Sequence, residues 1–103
     1  MAIDDADEAN GALRYITGAH KNGIAPHAIT DFSQVFSVNA IGVDIAALEA
    51  AGAVASAEVG RGGVVFHHGA AMHSSLPNLT PRPRRAYAIH YVAGRFIAHS
   101  QLR

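Results

Sequence analysis

Between positions 62 and 92 the chain reads GGVVFHHGAAMHSSLPNLTPRPRRAYAIHYV, short apolar runs cut by Gly, Pro and Asn, and this stretch leaves little choice of architecture. Short runs rich in Val, Ile, Phe and Tyr, bounded by turn formers, make strands rather than helices. Two of them, residues 64–68 and 86–92, bracket a shorter run ending at His73 and a Pro/Asn/Thr-rich loop over 74–83. The expected unit is strand, turn, strand, loop, strand. Alternation along the last run puts Arg84, Ala86, Ala88, His90 and Val92 on one face, and Arg85, Tyr87, Ile89 and Tyr91 on the other. The same parity groups Ala71, His73 and Ser75. Alanine is disfavoured in strands, so its repetition on one face suggests a surface kept low for something that sits there. A hollow lined by His73, Ser75, Arg84 and alanines is the expectation. The same pattern also describes an ordinary sheet in which alanine relieves crowding against a second layer.

The remaining chain reads as support. Residues 1–3 look like the end of a strand, 4–10 like a polar turn and 11–16 like a further strand. Residues 17–42, punctuated by Gly18, Gly23, Pro26 and Gly42, read as a long and mostly irregular excursion. Asp44 to Gly52 has the signature of a short helix, with Asp44 as N-cap and Gly52 as the left-handed stop. A strand over 54–59, a tight turn at Arg61, Gly62 and Gly63, and a last strand over 95–99 complete the reading. The fold class expected is all-β, in a single domain over residues 1–103.

A chain of 103 residues with half its residues apolar and no formal net charge has room for one modest core. No apolar run reaches membrane-spanning length and no leader precedes the acidic start, so the expected location is cytoplasmic. The chain has no cysteine, which excludes disulfides and thiolate metal sites and leaves seven histidines as the strong nitrogen ligands. Charge is polarised along the sequence. Residues 1–51 hold seven acids and two bases, whereas residues 52–103 hold one acid and six arginines. The halves are therefore suited to attract each other or a neighbouring copy. Arg82, Arg84 and Arg85 stand beside prolines without a basic helical face, which argues against a nucleic-acid partner and for solvated surface or a small-anion site.

Several motifs carry a family likeness. Gly63 to Phe66 is a glycine followed by an apolar strand, His73 is followed by Ser74, Ser75, Pro77 and Asn78, and Arg84-Arg85-Ala86 opens the last run. Near the N-terminus, Asn10-Gly11-Ala12-Leu13 runs into Thr17-Gly18-Ala19-His20-Lys21. In this order and spacing the chain resembles the C-terminal half of the phytanoyl-CoA dioxygenase family, Fe(II)- and 2-oxoglutarate-dependent oxygenases. The resemblance implies part of a double-stranded β-helix, or jelly roll. It implies that His73 is the distal histidine ligand of the iron, that Arg84 pairs with the far carboxylate of 2-oxoglutarate, and that Ser75 assists with its hydroxyl. Neutral imidazole is a good ligand for Fe(II), and the planar guanidinium matches a carboxylate in bidentate fashion. Ser74 and Leu76 stand where many relatives have glycine, and Thr17 and Ala19 replace the usual proline and serine.

The family holds iron with two histidines and one carboxylate, the first pair arriving as His-x-Asp or His-x-Glu. Here the second residue after each histidine is Asn22, Ile29, Gly69, Ala70, Ser75, Val92 or Gln101, never a carboxylate. That motif is expected before position 1. Two readings follow. One is a non-catalytic, oligomerising remnant with a residual small-carboxylate pocket, for which no catalytic residue is named and which a homodimer completes. The other is a fragment or subunit of an oxygenase that hydroxylates an organic substrate once another chain supplies the missing half. The isolated chain favours the first, because one ligand of three does not hold catalytic iron. Among the other histidines, His67 shares parity with His73, His67 and His68 face opposite ways, His90 lies on the Arg84 face, and His20, His27 and His99 read as surface residues.

Overall fold

The computed structural model describes residues 1–29, 38–40 and 42–92. Its elements are β1 (Leu13–Ile16), a single 3-10 turn (Ala19–Asn22), β2 (His27–Ile29), β3 (Val38–Ala40), α1 (Ile45–Ala50), β4 (Val54–Ala57) and β5 (His73–Ser75). The chain is thus strand and irregular segment with one short helix. Strand β1 is central in a three-stranded antiparallel sheet ordered β4-β1-β5. Strands β2 and β3 pair with each other, Ala28 opposite Asn39.

The start of β1 is fixed by a polar knot. Asn10 has no exposed surface. Its Oδ1 accepts the Asp7 backbone N–H at 2.8 Å and its Nδ2 donates to the Asp5 carbonyl at 2.8 Å, while the Asp7 Oδ1 accepts the Asn10 N–H at 3.1 Å. Buried polar groups persist only when paired in this way. Gly11 follows at φ 88°, a conformation that turns the chain into β1 and that suits a residue without Cβ. Ala12 and Ala2 are the buried apolar side chains among the described residues, so the core is small and lies at this end of the sheet.

Residues 1–6 form a seam rather than a loose terminus. The Ala2 N–H donates to the Gly63 carbonyl and the Gly62 N–H to the Ala2 carbonyl, at 2.9 and 2.8 Å. On the other side, the Ile3 N–H donates to the Arg85 carbonyl and the Tyr87 N–H to the Met1 carbonyl, each at 2.9 Å. Two ion pairs between the acidic and basic halves of the sequence form along or beside this seam. The Arg85 guanidinium binds Asp4 through both Nε and Nη2 at 2.9 Å, and Arg82 Nη2 donates to Asp7 Oδ2 at 2.7 Å. The Arg85 side chain, and after it the Arg85 backbone N–H, hold the Asp4 carboxyl down at about 2. A depressed carboxylate contributes fully above its unfolded range and is lost as pH falls through about 2, so this tie is intact at neutral pH.

Helix α1 forms as the sequence predicts. Asp44 caps it by accepting the Ala47 N–H at 3.0 Å, and Gly52 at φ 67° stops it. Arg14 of β1 reaches Glu49 of α1, which ties the helix to the sheet face opposite Tyr15. The turn over residues 60–63 also forms, with the Gly63 N–H donating to the Gly60 carbonyl at 2.9 Å.

Two expectations are corrected or narrowed. Residues 17–42, expected to be mostly irregular, contain the 3-10 turn and the β2-β3 pair. The runs at 64–68 and 86–92 are not ladder strands: the latter makes one bridge, Ala86 opposite Ala2. A strand exists only by exchanging hydrogen bonds with a neighbour, and apart from residues 1–3, which pair with residues 85–87, no neighbour runs alongside these residues among those described. Their side chains stay in water as a result, with Phe66 84% and Tyr91 82% exposed. The expected strand at 95–99 lies outside the described residues.

The Asn10 knot generates a test. Asn10→Ala removes an acceptor and a donor from a fully buried position and strands the Asp7 N–H and the Asp5 carbonyl. We expect a loss of about 2–4 kcal/mol in urea unfolding, far above the effect of an exposed alanine substitution.

Candidate functional site

The register of the sheet sets the site. Tyr15 of β1 stands between Ala55 of β4 and His73 of β5, and Leu13 stands between Ala57 and Ser75. Residues directly opposite share a face. One face therefore carries Tyr15, His73, Leu13 and Ser75 beside two alanines, which come from β4 rather than from residues 86 and 88. The opposite face carries Arg14, Ser56 and Ser74.

His73 is exposed, and its Nδ1 lies 2.9 Å from the Ala71 carbonyl. A carbonyl only accepts, so Nδ1 carries the proton and the lone pair of the neutral ring sits on Nε2. That is the tautomer of a metal-binding histidine whose other nitrogen is held by a backbone carbonyl. Two rings stand against it. The Tyr15 ring centroid is 5.7 Å away and the His67 centroid 4.9 Å away. Tyr15 Oη lies 2.8 Å from His67 Nδ1, closing the group. The loss of water around His67 lowers its pKa below the ordinary value, with the charges of His73 and His90 acting in the same direction. His67 is therefore neutral at pH 7. Loss of water also raises the pKa of the Tyr15 phenol, which stays protonated.

Arg84 approaches the turn that precedes β1: a Cβ on Gly11 would lie 3.7 Å from Arg84 Nε, and Gly11 precedes by two residues Leu13, the partner of Ser75. His73 and Ser75 thus stand opposite positions 15 and 13, and Arg84 Nε lies near position 11, ahead of the strand. Arg84 is half-buried. Of the three clustered arginines, Arg82 is paired with Asp7 and Arg85 with Asp4, while no carboxylate among the described residues pairs with Arg84. The loop before it is stiffened by Asn78, whose Nδ2 donates to the Arg82 carbonyl at 2.6 Å and whose Oδ1 accepts the Thr80 N–H at 2.9 Å.

The donor set does not by itself fit the iron implied by the resemblance. A non-haem Fe(II) centre of that type needs two imidazoles and a carboxylate. No group of three or more His, Cys, Asp or Glu able to hold a metal occurs among the described residues. His73 fits one ligand position of three. Tyr15 is not named as a site residue by the sequence, because which side chains meet across paired strands cannot be read from one sequence; the parity of His67 with His73 and the family likeness of the strand opening at Asn10-Gly11 point toward this cluster.

The fold and site define a β-sheet protein that offers the His73 imidazole on one sheet face and, beside Gly11, an arginine with no carboxylate partner among the described residues. A family profile for phytanoyl-CoA dioxygenase (PhyH) matches residues 1–86, and the chain belongs to the phytanoyl-CoA dioxygenase family. It is 29% identical over 94 residues to a phytanoyl-CoA dioxygenase domain-containing protein 1 homolog of Dictyostelium discoideum, covering 91% of this chain and 34% of that protein. It is 32% identical over 93 residues to phytanoyl-CoA dioxygenase 1 of Oryza sativa subsp. japonica, covering 89% of this chain and 31% of that protein. The chain spans about a third of the length of these relatives. No solved structure matches it at a significant level. No helix among the described residues is long and apolar enough to cross a membrane.

Gly11 joins the two ends of the site and supplies its test. A Cβ there would stand 2.7 Å from the Leu76 carbonyl oxygen at a positive φ. We expect Gly11→Ala to cost about 1–3 kcal/mol and to push Leu76 away from β1. Amide NMR should then show the largest shift changes at Leu76, Asn78 and Arg84.

Proposed function

We propose that these residues are the distal-histidine and carboxylate-binding part of a phytanoyl-CoA dioxygenase-type jelly roll, and that by themselves they are not a catalyst. The observation that carries this reading is Arg84. Its neighbours Arg82 and Arg85 are neutralised by Asp7 and Asp4, whereas Arg84 stands half-buried beside Gly11 with no carboxylate of the described residues on it. A planar guanidinium left in that state is suited to a carboxylate ligand. Ser75, opposite Leu13 and on the His73 face of β5, offers a hydroxyl. 2-Oxoglutarate is the ligand the family relation suggests, with iron supplying the chelation chemistry once two further ligands join His73.

Arg84 partly open to water contributes about 1 kcal/mol to holding an anion. Binding of 2-oxoglutarate to this chain should therefore be no tighter than about millimolar. With Fe(II), ascorbate and oxygen added, we expect no succinate above background. Succinate that disappears in Arg84→Ala would sink the non-catalytic reading, and 2-oxoglutarate binding that survives Arg84→Ala would remove Arg84 from the site.

The same reading requires a partner. Phe66, Ile89 and Tyr91 are 84%, 64% and 82% exposed, on backbone segments that no strand borders among the described residues. Apolar side chains on unpaired β-prone backbone are a template for association. A second copy of the chain is the simplest cover, and a twofold axis allows the two segments to pair reciprocally. Multi-angle light scattering at micromolar concentration should give a dimer mass. A well-dispersed monomer would contradict the association.

A further inference from the structure

Two pairs of histidines approach each other, and their hydrogen bonds separate them. His20 and His68 have centroids 5.7 Å apart, but His68 Nδ1 accepts the Ala70 backbone N–H at 3.0 Å. The neutral His68 ring therefore carries its proton on Nε2 and has no free lone pair. His67 and His73 differ in this respect. His73 Nδ1 donates to the Ala71 carbonyl and leaves Nε2 free. His67 Nδ1 faces the Tyr15 hydroxyl, which is able to accept as well as donate, so the ring can hold its proton on Nδ1 and present Nε2.

The spacing of this second pair is also that of shared ligands. A ring nitrogen about 2.1 Å from an ion puts its ring centroid about 3.2 Å from that ion, so two rings bound at about 90–110° stand about 4.5–5.2 Å apart. The His67 and His73 centroids are 4.9 Å apart. Both residues are exposed, so an ion and its remaining water ligands have access. The Tyr15 hydroxyl on His67 and the Ala71 carbonyl on His73 then act as the outer partners that fix ring orientation.

We propose that His67 and His73 form a two-imidazole site for a borderline divalent cation of the zinc class, completed by water and oriented by Tyr15. The site uses no carboxylate, no second chain and no 2-oxoglutarate, and it adds His67 to a histidine the family relation already marks. It stands apart from the oxygenase reading, because loss of zinc binding would leave the case for Arg84 untouched.

The test uses the untagged full chain and Zn2+ in isothermal titration calorimetry. We expect one ion per chain with a sub-millimolar dissociation constant, at least about tenfold weaker binding in His67→Phe, a smaller loss in Tyr15→Phe, and no change in His20→Phe. On the unaltered chain, which removes any concern over folding of variants, the NMR ring signals of His67 and His73 should move together as Zn2+ is added. Absence of saturable binding below a millimolar, unchanged binding in His67→Phe, one ion shared by two chains, or movement of one ring without the other would each overturn the site.

Discussion

Strand β1 is hydrogen-bonded along both edges, and its register against β4 and β5 decides which side chains meet. Side chains alternate along a strand, so a slip of one residue would carry His73 and Ser75 to the Arg14 face and put Ser74 in their place. Two local features hold the register. The Asn10 carboxamide fixes where the turn ends, and Gly11 lets the Leu76 carbonyl come close enough that no Cβ would fit between them. The site is thus located by a buried amide and a missing methyl rather than by the apolar core, which is small.

The ion pairs act by selection more than by stability. Asp4 with Arg85 and Asp7 with Arg82 are solvent-exposed pairs, and water screens most of their attraction. Their consequence is that two of three clustered arginines are neutralised, while the middle one has no carboxylate partner among the described residues. Two pairs between the oppositely charged halves of the sequence are thus formed inside the molecule.

Legibility from sequence followed the range of the interaction. The helix over Ile45–Ala50 was readable because its signals are local: Asp44 caps it and Gly52 ends it within one turn at each side. Strand β1, strand β4 and the glycine turn were readable for the same reason. The runs at 64–68 and 86–92 read as strands because Val, Ile, Phe and Tyr favour extended backbone, but pairing is a long-range event, and composition carries no information about whether a neighbour is present. The family relation was legible in Asn10-Gly11, in His73 with its following serines, and in Arg84-Arg85-Ala86. The contact of Tyr15 with His67 was not, since it joins residues 52 positions apart through a register that no local signal specifies.

His73 has a single free lone pair, on Nε2, and this limits what the cluster can do at one time. An Fe(II) centre completed by ligands from outside these residues and a cation held with His67 would both require that nitrogen. For nitrogen donors, Zn2+ and Cu2+ bind more tightly than Fe(II), an order that an added carboxylate ligand does not reverse, so His73 and His67 by themselves carry no preference for iron.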